Sequence, residues 1–268
     1  MSVLGPALLF CPADRPDRYG KAAAASDAVV LDLEDAVAPE RKQAARDALV
    51  ATPLDPATTL VRVNGAATGL LADDLAAVRR AGYRLVMLPK AESAEQIDVL
   101  AGHRVVALCE SPLGVEQAAA LAAHRDVDAL FWGAEDLVAG LGGTSSRGSD
   151  GTYREFARYA RSRVLLAAAA AGKAAYDAVH LDISDDAGLA AEAEDAAASG
   201  FAGTLCIHPR QVSVVRAAYR PSQEAVDEAA ALLDAAEQRS SGVFAWQGRM
   251  VDEPLLRQAR RTLGRAGR

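Results

Sequence analysis

The feature that most constrains the fold is a recurrence of short apolar runs. They read "ALLFCP" (7–12), "AVVLDLE" (28–34), "TLVRVN" (59–64), "RLVMLPK" (84–90), "RVVALCE" (104–110), "ALFWGAED" (129–136), "AVHLDI" (178–183) and "GTLCIHP" (203–209). Each has the length and the Val, Ile, Leu and aromatic content of a buried strand. Between them lie alanine-rich segments with helical spacing, such as "GLLADDLAAVRRAG" and "GLAAEAEDAAASG", which close on a glycine suited to a helix end. Strand and helix alternating through eight units predict an α/β fold of the TIM (β/α)8 barrel type, at close to that fold's typical length of ~250 residues. An open doubly wound sheet is the alternative, but no run is followed by G-x-G-x-x-G or G-x-x-x-x-G-K-[ST].

The barrel is assigned to residues 1–220, and residues 221–268 to a C-terminal helical extension. That tail carries "QEAVDEAAALLDAAEQRS" and "GVFAWQGRMVDEPLLRQARRTLGRAG", and it suits a lid at a subunit interface. A net charge of −7, with no basic stretch, argues against a nucleic-acid groove or a membrane-surface patch. An anionic ligand therefore needs a local site. No apolar run approaches the ~18 residues of a membrane span, and the N-terminus lacks a basic flank before a sustained apolar segment. A soluble, cytoplasmic protein is expected. Cys11, Cys109 and Cys206 are far apart and lie in or beside strand-like runs, which predicts buried, reduced thiols.

In such barrels chemistry is built at the C-terminal ends of the strands. Those positions hold Asp14 and Arg15 after the first run, Asp32, Glu34 and Asp35 at the second, and Arg62 and Asn64 at the third. Lys90 and Glu92 follow at the fourth, Glu110 at the fifth, Glu135 and Asp136 at the sixth, Asp182 at the seventh and His208 at the eighth. Glu110 and Asp136 close adjacent parallel strands, ~4.8 Å apart, so their oxygens can meet one Mg²⁺ at ~2.1 Å. The alternative is that each carboxylate caps the helix after its strand.

Arg62 stands inside a β run, where a guanidinium is costly unless a carboxylate or ligand meets it. It can clamp a substrate carboxylate bidentately, pair with Glu34 or Glu110, or do both. Lys90 follows the same logic, with Glu92 or an acid of a neighbouring strand as its partner. His208 reads as structural, and His103, His124 and His180 show no zinc-ligand spacing. The stretch "GLGGTSSRGSDG" (140–151) can offer backbone amides and Arg147 to a phosphate, although a mobile loop is the plainer reading. In "VVLDLEDAV" (29–37), strand alternation puts Asp32 and Glu34 on one face and leaves Asp35 on the rim.

These motifs resemble a known family. The stretches "LFCPADRPDRYGKA", "VVLDLEDAVAPERKQAAR", "VRVNG", "VMLPKAES", "ALCESPLGV", "LFWGAEDLVAGLG", "CIHPRQV" and "FAWQGRMVDEPLL" are similar, in order and over nearly the whole chain, to the citrate lyase β-subunit-like proteins of the HpcH/HpaI aldolase family. The similarity is strongest to stand-alone actinobacterial members. The resemblance implies a Mg²⁺-dependent TIM barrel, a homotrimer or homohexamer, that cleaves or forms a carbon-carbon bond in a 3-hydroxyacyl-CoA thioester. Citramalyl-CoA, malyl-CoA and 3-hydroxy-3-methylglutaryl-CoA are of this kind, and the products are acetyl-CoA and a keto acid.

Carried over by residue, the resemblance gives Glu110 and Asp136 as metal ligands and Arg62 as the substrate-carboxylate arginine. Asp32, Glu34 and Asp35 would hold metal-bound water and that arginine, while Glu110, Glu135 and Asp136 would line the substrate. Arg15 and Lys21 match basic positions near the CoA phosphates, with Lys90 as a further cation for the coenzyme. Asp252 matches an acid brought from a neighbouring subunit. A class II aldolase acting on free pyruvate, with no CoA, and a non-catalytic acid-binding subunit are the rival readings.

Overall fold

The computed structural model describes residues 4–238 and 242–267. Eight strands form the barrel: β1 (Ala7–Pro12), β2 (Ala28–Asp32), β3 (Thr59–Arg62), β4 (Leu85–Leu88), β5 (Arg104–Cys109), β6 (Val127–Trp132), β7 (Ala174–Asp177) and β8 (Gly203–Cys206). Each pairs in parallel with the next, and β8 returns to β1, so the sheet is closed. Alternate residues fill the interior: Leu8, Val30, Leu60, Met87, Val106, Leu108, Phe131, Tyr176 and Leu205 form one buried cluster. The intervening residues, such as Val29, Leu31, Val61 and Leu130, are buried as well. A parallel sheet covered by helices requires this, and it is why the strands read as continuous apolar runs.

The seventh strand corrects the sequence reading. It spans Ala174–Asp177, and the predicted run 178–183 is the loop that follows. "AAYD" merges by composition into the alanine-rich helix Glu155–Ala170, whereas "AVHLDI" imitates strand alternation. In the loop Leu181 and Ile183 are exposed, as they would not be inside a barrel strand. Asp182 is accordingly no strand-end acid; it is exposed and accepts hydrogen bonds from the backbone N–H and hydroxyl of Ser184. The strand end is Asp177, whose carboxylate accepts from Trp132 Nε1 at 2.6 Å and from Arg161 Nη2 at 2.8 Å.

A buried polar chain fixes the tops of β2 and β3. Arg46 donates to Asp74 at 2.7 Å, and Asp74 accepts from both the backbone N–H and the side chain of Asn64. Asn64 in turn accepts from Lys42, whose ammonium also holds the carbonyls of Leu33 and Glu34 at 2.6 and 2.7 Å. The "DLED" segment therefore leaves the barrel with a set direction.

The chain divides into two compact units, Met1–Val215 and Arg216–Arg268. The division falls inside the helix Pro209–Tyr219, a few residues before the expected 220/221 boundary. The second unit contains the helix Gln223–Glu237, a hairpin of β9 (Phe244–Trp246) and β10 (Arg249–Val251), and the helix Glu253–Ala266. Positive φ at Gln247 and Gly248 makes the two-residue turn that pairs Trp246 with Arg249. Ala229, Leu232, Val251, Leu256 and Ala259 form the unit's own apolar cluster. Arg239 and Ser240, the last residues of the expected helical run, lie outside the described residues. Among those described, no helix is long and apolar enough to cross a membrane.

Candidate active site

Register assembles the first half of the site. β2 and β3 pair Asp32 with Arg62, the last residues of their strands. The guanidinium meets the carboxylate with two hydrogen bonds, Nε to Oδ1 at 2.8 Å and Nη2 to Oδ2 at 2.5 Å. Asp32 also accepts from the backbone of Glu34 and Ala36, so one buried side chain fixes both the arginine and its own loop. Arg62 Nη1 lies 3.0 Å from Glu34 Oε2, and its guanidinium lies over the Phe10 ring at 4.8 Å. The Arg62–Glu34 contact is an ion pair outside hydrogen-bond geometry, and it leaves Glu34 Oε2 without a donor although the atom is buried. Neighbouring carboxylates, led by Asp32, raise the guanidinium pKa against the opposing cost of burial. Arg62 stays charged.

The second half comes from strands β4 to β6. Glu110 follows β5 and is buried, and burial together with repulsion from Asp136 pushes its carboxyl up to about 8. Gly133 makes room for it: a Cβ there would sit 3.0 Å from both Cβ and Oε2 of Glu110. Lys90, just beyond β4, has a φ of 49°, a left-handed backbone uncommon for a residue with a side chain. Its N–H donates to Glu110 Oε1 at 3.1 Å. Its ammonium lies 3.1 Å from Glu34 Oε1, 3.2 Å from Asp136 Oδ1 and 3.8 Å from Glu110 Oε1. Burial pushes the Glu34 pKa upward against the pull of Arg62 and Lys90.

Thus Asp32, Glu34, Arg62, Lys90, Glu110 and Asp136 meet at one end of the barrel. With Glu110 deprotonated, as ligation of a cation requires, four carboxylates face two cations, leaving a surplus of two negative charges. The donors are oxygens only, and Glu110 and Asp136 match the one or two protein carboxylates that Mg²⁺ ordinarily takes, with water and substrate completing its shell. Among the described residues no three His, Cys, Asp or Glu side chains gather as a larger cage. The charge and the donor set fit a hard dication.

The other expected residues of the barrel unit lie outside this cluster. Glu135 accepts from Ser146 at 2.6 Å and lines a separate cavity of about 900 Å³ with Arg147, Tyr153, Arg161 and His180. Arg147 is held by Glu192 and stacks on Tyr153 at 3.8 Å, so its guanidinium is engaged within the protein. Asp35 is exposed on the rim. Arg15 pairs with Asp17 at 2.8 Å ahead of the helix Pro16–Ala25, on which Lys21 is exposed. His208 is exposed, and its Nδ1 accepts from the backbone of Arg210, a local structural role. Asp252 belongs to the second unit, at the N-cap of the helix Glu253–Ala266, and makes no side-chain capping bond.

Sequence reasoning missed Lys42, Asp74 and Gly133. Lys42 and Asp74 sit on helices, where a charge reads as a solvated face. Gly133, directly after a strand and before a helix, carried a legible signal of close approach.

The HpcH/HpaI aldolase/citrate lyase family model matches residues 7–209. A citrate lyase subunit beta-like protein of Mycobacterium tuberculosis is 56% identical over 263 residues, 98% of this chain and 96% of the relative. The mitochondrial citramalyl-CoA lyase of Homo sapiens is 34% identical over 290 residues, 96% of this chain and 84% of the relative. Among solved structures, the protein CitE of Mycobacterium tuberculosis in complex with magnesium, acetoacetate and coenzyme A superposes with a TM-score of 0.95 at 55% identity, covering 98% of both chains.

Proposed function

The chain belongs to the HpcH/HpaI aldolase/citrate lyase family, and from that premise we propose that it is a Mg²⁺-dependent carbon-carbon lyase acting on a 3-hydroxyacyl-CoA thioester. The observation that carries this reading is the convergence of Arg62, Glu34, Glu110 and Asp136 at the strand ends, a clamped cation beside a surplus of carboxylate. The substrate class is a branched 3-hydroxy-3-methyl acid thioester. Citramalyl-CoA, which names one relative's activity, is of this class. So is the adduct that acetyl-CoA would form with acetoacetate, the keto acid bound beside coenzyme A in another relative.

In the cleavage direction the C3 hydroxyl loses its proton, the C2–C3 bond breaks and C3 becomes a ketone. The electron pair passes to the thioester as an enolate, and a proton at C2 then gives acetyl-CoA. Mg²⁺, held by Glu110 and Asp136, would supply Lewis-acid polarisation of the hydroxyl and of the developing ketone. Arg62, fixed by Asp32, would bind the substrate carboxylate through the N–H groups that Asp32 and Glu34 leave over. Glu34, with a buried oxygen that lacks a donor, would take the hydroxyl proton. Asp252 would exchange the proton at C2 from a neighbouring subunit of a trimer or hexamer. Arg15 and Lys21 would meet the CoA phosphates.

The test is a panel of citramalyl, malyl, citryl and 3-hydroxy-3-methylglutaryl thioesters, with free hydroxy-oxo acids alongside, assayed by mass spectrometry with Mg²⁺ and with EDTA. Acetyl-CoA released only with Mg²⁺, and fastest from a 3-methyl thioester, is the expected result. Turnover of the free acids but of no thioester would favour the pyruvate aldolase reading instead.

A further inference from the structure

Lys90 is the cation of the site that is least well anchored. Arg62 is held by a bidentate carboxylate and its side chain is 12% exposed, whereas the Lys90 side chain is 46% exposed and makes three single contacts. Those contacts go to Glu34 and Glu110, in the loops after β2 and β5, and to Asp136, in the first turn of the helix Ala134–Gly140 after β6, so the ammonium stands at the focus of three strand ends. The left-handed backbone at Lys90 turns its N–H onto Glu110 as well, which commits this residue to that carboxylate at two points.

A dication on Glu110 and Asp136 would need the same oxygens. With metal-oxygen distances of about 2.1 Å, and Nζ 3.2 Å from Asp136 Oδ1, an ion bound to that atom would lie within roughly 5 Å of the ammonium. Two positive centres that close, over shared acceptors, repel. A long, flexible and half-exposed lysine has a route into solvent, which the buried arginine lacks.

We propose that Lys90 is an internal competitor of the divalent cation: its ammonium neutralises the carboxylate focus and yields when the metal binds, which weakens and so sets the metal affinity. The proposal rests on the reading of Glu110 and Asp136 as the cation's ligands.

Calorimetric Mg²⁺ titrations of the wild type, Lys90→Met, Lys90→Arg and Glu110→Gln test it, without reference to activity. Removing the charge in Lys90→Met should tighten Mg²⁺ binding by about tenfold or more, while Lys90→Arg should leave it as weak as the wild type or weaker. On the wild-type protein, acylation of Lys90 followed by peptide mass spectrometry should be slow in chelator and rise on adding Mg²⁺. Unchanged or weaker affinity in Lys90→Met, or acylation that does not rise with Mg²⁺, would overturn the proposal. The acylation experiment decides even if Lys90→Met does not fold. Wild-type affinity in Glu110→Gln would instead overturn the ligand reading, whereas lost binding there with an unchanged Lys90→Met removes only the role of Lys90.

Discussion

At the residue scale the site turns on Asp32. Its side chain is 1% exposed, yet it serves both the Arg62 guanidinium and the backbone of the loop that bears Glu34. Breaking one side of a buried ion pair leaves the other charge uncompensated, a loss on the order of 3 kcal/mol. Asp32→Asn keeps the shape and one acceptor but loses the charge, so it should lower stability in urea by about that much. It should also raise KM for the carboxylate-bearing substrate as Arg62 drifts. A variant as stable as the wild type, with unaltered KM, would mean that Asp32 does not hold the arginine. This pairing was half legible in the sequence: a guanidinium inside a β run demands a partner, for which the run suggested Glu34 or Glu110, and Asp32 entered only with Glu34 and Asp35 through the family resemblance. The register between β2 and β3 selected Asp32 for the two short hydrogen bonds and left Glu34 to bridge Arg62 and Lys90.

At the scale of elements, the strand end Trp132–Gly133 and the acid after β5 form one packing unit. Gly133 has a φ of −123°, which any residue adopts, so alanine would carry no backbone penalty there. Its Cβ would press on Glu110 at 3.0 Å. Gly133→Ala should therefore weaken Mg²⁺ binding severalfold, at a stability cost of about 1 kcal/mol, because the displaced group is the buried Glu110 carboxylate just beyond its strand end and not the apolar core of the barrel. Gly20→Ala, in the helix Pro16–Ala25 with nothing within 4 Å of the added carbon, is the matched control and should leave Mg²⁺ affinity unchanged. Equal Mg²⁺ affinities in the two variants, each matching the wild type, would show that the space beside Glu110 is not what Gly133 provides. Elements whose apolar pattern was distinctive emerged where expected. The seventh strand did not, because Ala174–Asp177 carries a single large apolar side chain, Tyr176, after two alanines, and borrows its partners from β6 and β8.

At the scale of the whole molecule the second unit brings one further acid. The Asp252 carboxylate stands at a helix N-cap without capping it, in contrast to Ser93, Ser111 and Ser222, which cap the helices they precede. If it completes the site of a neighbouring subunit, Asp252→Asn and Arg62→Ala proteins should each be inactive alone. Refolded together, they should regain a fraction of activity, since some mixed interfaces would join an intact Arg62 to an intact Asp252. No recovery in a mixture shown by mass to contain hybrid oligomers would count against a role across subunits.

The sequence by itself determined the barrel and, except at the seventh strand, where Asp177 stands in place of Asp182, which acids and bases stand at its strand ends, because strand alternation and the repeat of eight units are local patterns that survive without coordinates. Tertiary structure alone decided the partners. Strand register brought Asp32 to Arg62 and turned Lys90 onto three carboxylates, and packing sent Glu135 to Ser146 in another cavity although it adjoins Asp136 in the chain. Neighbours along a helix point in different directions, whereas residues scores of positions apart meet when parallel strands close, and charge pairs only across space.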